Sequence, residues 1–208
     1  MKFLHNMMLG TRFYFHLFMK DYNSCSNTLE RGSLKMQNAE LFHYFRGILY
    51  KSQGLLEDAA REFEEALKKN PLRLSNHMEL IEALFRGGKF RDVVEKSKTF
   101  FPIIRDKIIV WNEKPFYKKI HYYIAVSASK INEFQLACES FSIINGYFEN
   151  QAEVLATFGY CLLQLGELSK AEQVLRRALQ VDKNLFSAKE NLRLVQQYKS
   201  QNTLGKFF

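Results

Sequence analysis

AELFHYFRGILYKSQGLLEDAAREFEEALKKNPLR, residues 39–73, reads as two amphipathic helices joined by a tight turn. Gly54 ends the first helix, because glycine enters the left-handed backbone that closes a helix without a steric cost. Pro71 ends the second, since the residue before a proline is pushed out of helical geometry. Gly47 and Ala59 are small where two antiparallel helices must approach. Tyr50 and Phe63 fill the volume between those helices, and Ala66 leaves room for a further one. Glu57 and Asp58 open the second helix, where acids meet the positive end of its dipole.

Gly47, Tyr50, Ala59, Phe63, Ala66 and Pro71 stand in the order and spacing of the tetratricopeptide pattern, whose period is about 34 residues. The segment resembles that family. Stepping by the same period gives further units at 6–39, 74–107, 118–151 and 152–185, with an insertion at 108–117. The unit at 6–39 turns at Lys20 and Asp21, and Gly32 with Ser33 marks the expected end of its second helix. The unit at 74–107 carries Leu80, Leu84, Gly88, Phe90 and Val93, but has Ser97 where a large apolar residue is usual. Ile124, Ala125, Phe134, Ala137 and Phe141 mark the fourth unit. Leu155, Phe158, Gly159, Gly166, Leu168, Ala171, Leu175 and Ala178 mark the fifth. The expected fold class is all-α: one tetratricopeptide solenoid over 1–200, of about five hairpins, with a capping helix at 186–200 and a flexible tail at 201–208.

A hydrophobic content of 47% in 208 residues supplies the core that no hairpin can build alone. A formal net charge of +8 raises nucleic acid, anionic membranes and acidic proteins as partners. The basic residues are dispersed, as in Lys68 and Lys69, Lys118 and Lys119, or Arg176 and Arg177, and are interleaved with acids. Without a dense stripe or a nucleic-acid module they read as solvated surface. Cys25, Cys138 and Cys161 are odd in number and far apart, with no metal or redox spacing, and read as buried reduced thiols of a cytoplasmic protein.

Residues 1–20 are apolar and lack acids until Asp21, but His5, Asn6, Arg12 and His16 interrupt a run too short to span a bilayer. Two readings stand: a first helix packed on the next hairpin, or a mitochondrial leader. The stretch from Pro102 to Phe116 holds Trp111 among several isoleucines and also has two readings. It is either a docking loop with Trp111 as anchor, or an extended second helix closing over the adjoining repeat.

No phosphate-cradling loop, nucleophile elbow or metal-spaced ligand set occurs, so no enzymatic activity and no cofactor are expected. His43, His77 and His121 share the fourth place of three repeats. Successive repeats lie about 10 Å apart, whereas zinc holds its ligands at about 2 Å, so the three read as half-buried packing residues. Binding is what remains. In the tetratricopeptide architecture the first helices line the groove from their second, fifth, ninth, twelfth and thirteenth places. These give Tyr44, Ile48 and Lys51; Met78, Phe85 and Arg86; Lys119, Tyr122 and Lys130; and Ala156, Tyr160 and Leu163. Aromatic surface interleaved with cations suits an apolar helix or extended segment that carries some acid. The carboxylate clamp of co-chaperones is not reproduced, because its places hold Tyr44, Ile48, Glu79, Lys119 and Tyr123, of which only Lys119 agrees.

A narrower resemblance lies in HLFMKDYNSC, His16 to Cys25, and SNHMELIEALFRGGKF, Ser75 to Phe90. With Gly54, Phe63 and Pro71 between them, residues 12–95 resemble the family of the fourth Bardet-Biedl syndrome protein, a tetratricopeptide subunit of the BBSome. Family members carry more repeats, and the stretch around Trp111 has no counterpart in them. The resemblance implies a scaffold in ciliary cargo trafficking, located at cilium, basal body or centriolar satellites. The expected partners are proteins rather than small-molecule substrates or nucleic acid, and no transmembrane segment is expected. A mitochondrial or general adaptor, and an RNA-binding repeat protein, are the alternatives.

Overall fold

The computed structural model describes residues 2–36, 40–104, 115–144, 146–147 and 150–204. Among them are eleven helices and no strand: α1 (Lys2–Phe18), α2 (Tyr22–Met36), α3 (Glu40–Ser52), α4 (Leu56–Lys69), α5 (Leu74–Arg86), α6 (Phe90–Ile104), α7 (Pro115–Lys130), α8 (Phe134–Ile143), α9 (Ala152–Gln164), α10 (Leu168–Val181) and α11 (Phe186–Leu204). The fold is all-α, of the tetratricopeptide class. The chain divides into two compact units, Met1–Asp106 and Lys107–Phe208.

One turn is built five times. The fifteenth place of every unit has positive φ: Lys20 (56°), Gly54 (81°), Gly88 (71°), Asn132 (64°) and Gly166 (74°). The N–H of the next residue reaches back over the turn to a helix carbonyl, as in Leu55 to Tyr50 (2.9 Å), Lys89 to Leu84 (2.9 Å), Glu133 to Ala128 (2.8 Å) and Glu167 to Leu162 (2.9 Å). Asp21 reaches His16 in the same way at 2.9 Å. This is the Schellman closure, which satisfies carbonyls that the helix end would orphan and turns the chain back on itself. Asp21 then accepts the Ser24 N–H at 3.0 Å and caps α2.

In the first unit α1 packs on α2, α3 on α4 and α5 on α6, while α2 covers α3 and α4 covers α5. Phe13, Phe45 and Phe63 form its centre, with Phe13 and Phe45 at 5.0 Å. In the second unit α7 packs on α8 and α9 on α10. There α8 covers α9, and α11 closes over α9 and α10 by burying Ala188 and Val195. The close approaches expected of Gly47 and Gly159 are present. A Cβ on Gly47 would lie 2.6 Å from the Phe63 ring, and one on Gly159 would lie 2.5 Å from Leu175 Cγ.

Several boundaries differ from expectation. α2 runs through Gly32 to Met36. Gly32 is a spacer there, since a Cβ would meet Leu9 Cδ1 of α1 at 2.6 Å. α6 carries Pro102 inside its last turn and ends at Ile104, and the rest of the stretch to Lys114 lies outside the described residues. α7 starts on Pro115, where a missing N–H costs nothing. α11 continues past Ser200 to Leu204, no helix breaker standing before Gly205. Ser97 is buried, and its hydroxyl donates to the Val94 carbonyl at 2.7 Å, so the polar group is satisfied within its own helix. No helix of the described residues is long and apolar enough to cross a membrane.

Candidate partner-binding surface

In the first unit Tyr44, Ile48 and Lys51 follow one another at i, i+4 and i+7 along α3, and Met78, Glu82 and Phe85 do so along α5. Each set is therefore one stripe of its helix. Tyr44 is half-buried between Phe45 (5.6 Å) and Phe63 (6.2 Å). Burial, and then a hydrogen bond with Tyr14 of α1, push its phenol well above the ordinary range and keep it protonated. Ile48 is only 8% exposed, so it shapes the surface from beneath. Met78 and Phe85 are half-buried, the latter against Phe90 at 6.1 Å, and Arg86 is exposed.

Lys51 is held. Its side chain is 14% exposed and pairs with Glu79 and with Glu82 (3.2 Å), tying α3 to α5. A single ammonium between two carboxylates leaves that part of the face acidic, and Arg86 restores the balance. Tyr14 and Glu82 were absent from the residues expected on this face, although both occupy ninth places of their units. Counting that place in every unit finds them.

Other charges bind the hairpins together. Glu62, buried on α4, meets His43 Nδ1 at 3.0 Å and the Arg46 guanidinium, which lies over the Phe42 ring at 5.1 Å. Glu40 accepts from Asn70 (3.2 Å) and Asn76 (3.0 Å) and pairs with Arg73 (3.4 Å). These side chains are structural rather than solvated surface.

In the second unit Lys119, Tyr122 and Lys130 share a stripe of α7 at i, i+3 and i+11. Lys119 and Lys130 are exposed and Tyr122 half-buried. The Lys119 ammonium lies 5.5 Å from the centre of the Tyr123 ring, a cation–π contact. Neighbouring Lys118 lies over Tyr147 at 5.1 Å. On α9, which packs against α7, Tyr160 is half-buried and edge-on to Phe134 at 5.7 Å. Ala156 and Leu163 are buried. Trp111 lies outside the described residues.

The fourth-place histidines have three different settings. His43 serves Glu62. His77 donates through Nε2 to the Pro71 carbonyl at 2.7 Å, and burial lowers its pKa. His121 is buried against Tyr117 at 4.5 Å, and burial lowers its pKa to about 4. Among the described residues no cluster of His, Cys, Asp or Glu could hold a metal ion. All three cysteines are buried and unbridged. Cys138 of α8 and Cys161 of α9 meet, the Cys161 thiol donating to the Cys138 sulfur, which pushes the Cys161 pKa up.

Residues 152–185 match the tetratricopeptide repeat family. This is the span of the fifth unit. Among solved structures, MamA MSR-1 C2 superposes with a TM-score of 0.64 at 16% identity, over 86% of this chain and 97% of that one. MamA AMB-1 C2221 gives 0.66 at 17% identity, over 86% and 99%. YrrB, described as a TPR protein with an unusual peptide-binding site, gives 0.68 at 12% identity, over 86% and 87%. At these identities the likeness is one of fold. No curated protein matches the sequence.

Proposed function

We propose that this chain is a non-enzymatic protein–protein interaction scaffold that binds partners along the first-helix faces of its hairpins. Each face takes a helical or extended segment with apolar side chains and some acid. The α7 stripe carries the proposal, because exposed Lys119 and Lys130 flank the half-buried Tyr122, with Tyr160 on the adjoining helix. Aromatic surface bordered by ammonium groups recognises acidic, apolar peptide. The first unit adds Tyr44, Met78 and Phe85, with Arg86 as its exposed cation. YrrB is a fold relative described as having a peptide-binding site, which supports the reading. Trp111 is a further proposed anchor.

The finer assignment, a BBSome-like subunit in ciliary cargo trafficking at cilium, basal body or centriolar satellites, rests on the resemblance of residues 12–95 alone. Proximity labelling in ciliated cells tests both levels, with the wild-type chain compared against a Lys119→Ala, Tyr122→Ala, Lys130→Ala variant. The expected result is enrichment of BBSome subunits and ciliary membrane cargo that weakens in the variant. Mitochondrial or RNA-associated proteins in their place overturn the ciliary assignment. Undiminished enrichment by the variant overturns the α7 surface.

A further inference from the structure

The first hairpin leaves one of its faces uncovered. Within the first unit each later first helix is covered by the second helix before it, α3 by α2 and α5 by α4. The third and tenth places of the repeat are largely covered on those later first helices. On α5 these are Asn76 and Ala83, both fully buried. On α3 they are Phe42, half-buried, and Leu49, buried. The same places on α1 are Met8 and Phe15, which are 70% and 61% exposed. Along this side of α1 and α2 runs an open groove of about 850 Å³. Its apolar floor includes Met8, Leu9 and Phe15, while Arg12 and Arg31 supply its charge beside His16. Among the described residues that line it, none is acidic.

We propose that this groove seats one amphipathic α-helix of a partner protein, apolar along a single stripe and acidic along its flanks, placed on α1 as α2 is placed on α3. The site is separate from the first-helix faces assigned above. Asp21 lies near His16, at 3.9 Å, but also caps Ser24, so the two exposed arginines keep the groove basic. That charge selects the occupant. Among the described residues α11 also exposes large apolar side chains, Phe186, Leu194 and Tyr198. It carries Lys189, Arg193 and Lys199 against Glu190 on the same helix, and Lys199 is paired with Glu172 of α10 at 2.6 Å; a second copy docking through α11 would therefore set Lys189 and Arg193 against the arginines of the groove.

Selection of a displayed library of amphipathic helices, randomised at the flanking positions, on the full-length chain tests this. The predicted outcome is enrichment of Glu- and Asp-flanked helices whose affinity falls about tenfold or more in a Met8→Asp, Phe15→Asp variant. Both residues are exposed, so the variant keeps its helical circular dichroism. An Arg12→Glu, Arg31→Glu variant then prefers Lys-flanked helices. Selected helices that are indifferent to both variants overturn the proposal. So does a concentration-dependent dimer, seen by sedimentation, that Met8→Asp, Phe15→Asp dissolves, because the face then belongs to a second copy.

Discussion

Replacing Gly47 by alanine sets two effects of opposite sign against each other. In an exposed helix the change gains about 1 kcal/mol, because alanine loses less backbone entropy than glycine. Here the added Cβ would stand 2.6 Å from Phe63 Cε1 and 2.8 Å from Cδ1 and Cζ. Carbon atoms rest at about 3.5–4.0 Å, so the overlap approaches 1 Å along one ring edge. The ring is fully buried and flanked by Tyr44 at 6.2 Å, which restricts its escape. Overpacking of this kind costs about 1–3 kcal/mol, so the net expectation is a loss of up to about 2 kcal/mol. Urea titration followed by far-UV circular dichroism reads the change, with hydrogen exchange locating it in the first unit. A Phe63→Leu change made together with Gly47→Ala opens space for the methyl group. The double variant should therefore be more stable than the summed single losses by about 1 kcal/mol. A Gly47→Ala protein stabilised by the full helix-propensity gain, or strict additivity in the cycle, refutes the close-approach argument.

Other consequences can be checked in the same way. His121 is neutral in the fold, and the unfolded chain takes up its proton first, near pH 6.5. Stability is therefore full above that value, falls as pH drops from about 6.5 to about 4 and levels off below, by about 3 kcal/mol in total. His121→Leu should flatten that part of a pH–stability curve. At the fifteenth place Lys20 holds a left-handed conformation that glycine adopts without strain, so Lys20→Gly should raise stability by about 1 kcal/mol and Gly54→Ala should lower it by a similar amount, both read by denaturant midpoint. Removing the Lys51 ammonium with Lys51→Met leaves Glu79 and Glu82 facing each other across a partly buried contact. A loss of about 1–2 kcal/mol is expected, and it should shrink when Glu79→Gln and Glu82→Gln are added.

The hairpins were legible because their residue types are dictated by contacts that recur every repeat. Gly47, Phe63, Gly159 and Leu175 sit in one geometry in both units, and a pattern of sizes suffices to find it. Glycine is ambiguous, however, and Gly32 shows why. The same residue type closes a helix at Gly54 and admits Leu9 of a neighbouring helix at Gly32, and sequence alone does not say which. The turn itself is set by register more than by residue, which is how Lys20 and Asn132 come to stand where glycine is usual. The proposed faces were legible in direction but not in depth. Counting places found the stripes of α3, α5 and α7, yet it could not show that Ile48, Ala156 and Leu163 are covered or that Lys51 is spent on Glu79 and Glu82. Partners on neighbouring hairpins decide such matters. Cys138 and Cys161 are a further case, remote in sequence and joined where α8 lies on α9.

Binding of partners on first-helix faces can be read by site-specific photocrosslinking of the full-length chain in cells, with the photoreactive residue placed in turn at Arg86 and Tyr122, and at Arg61 and Arg176 on exposed second-helix surface. Discrete crosslinked protein partners are expected from positions 86 and 122 and none from 61 and 176. Partners captured from 61 and 176 alone would contradict first-helix binding.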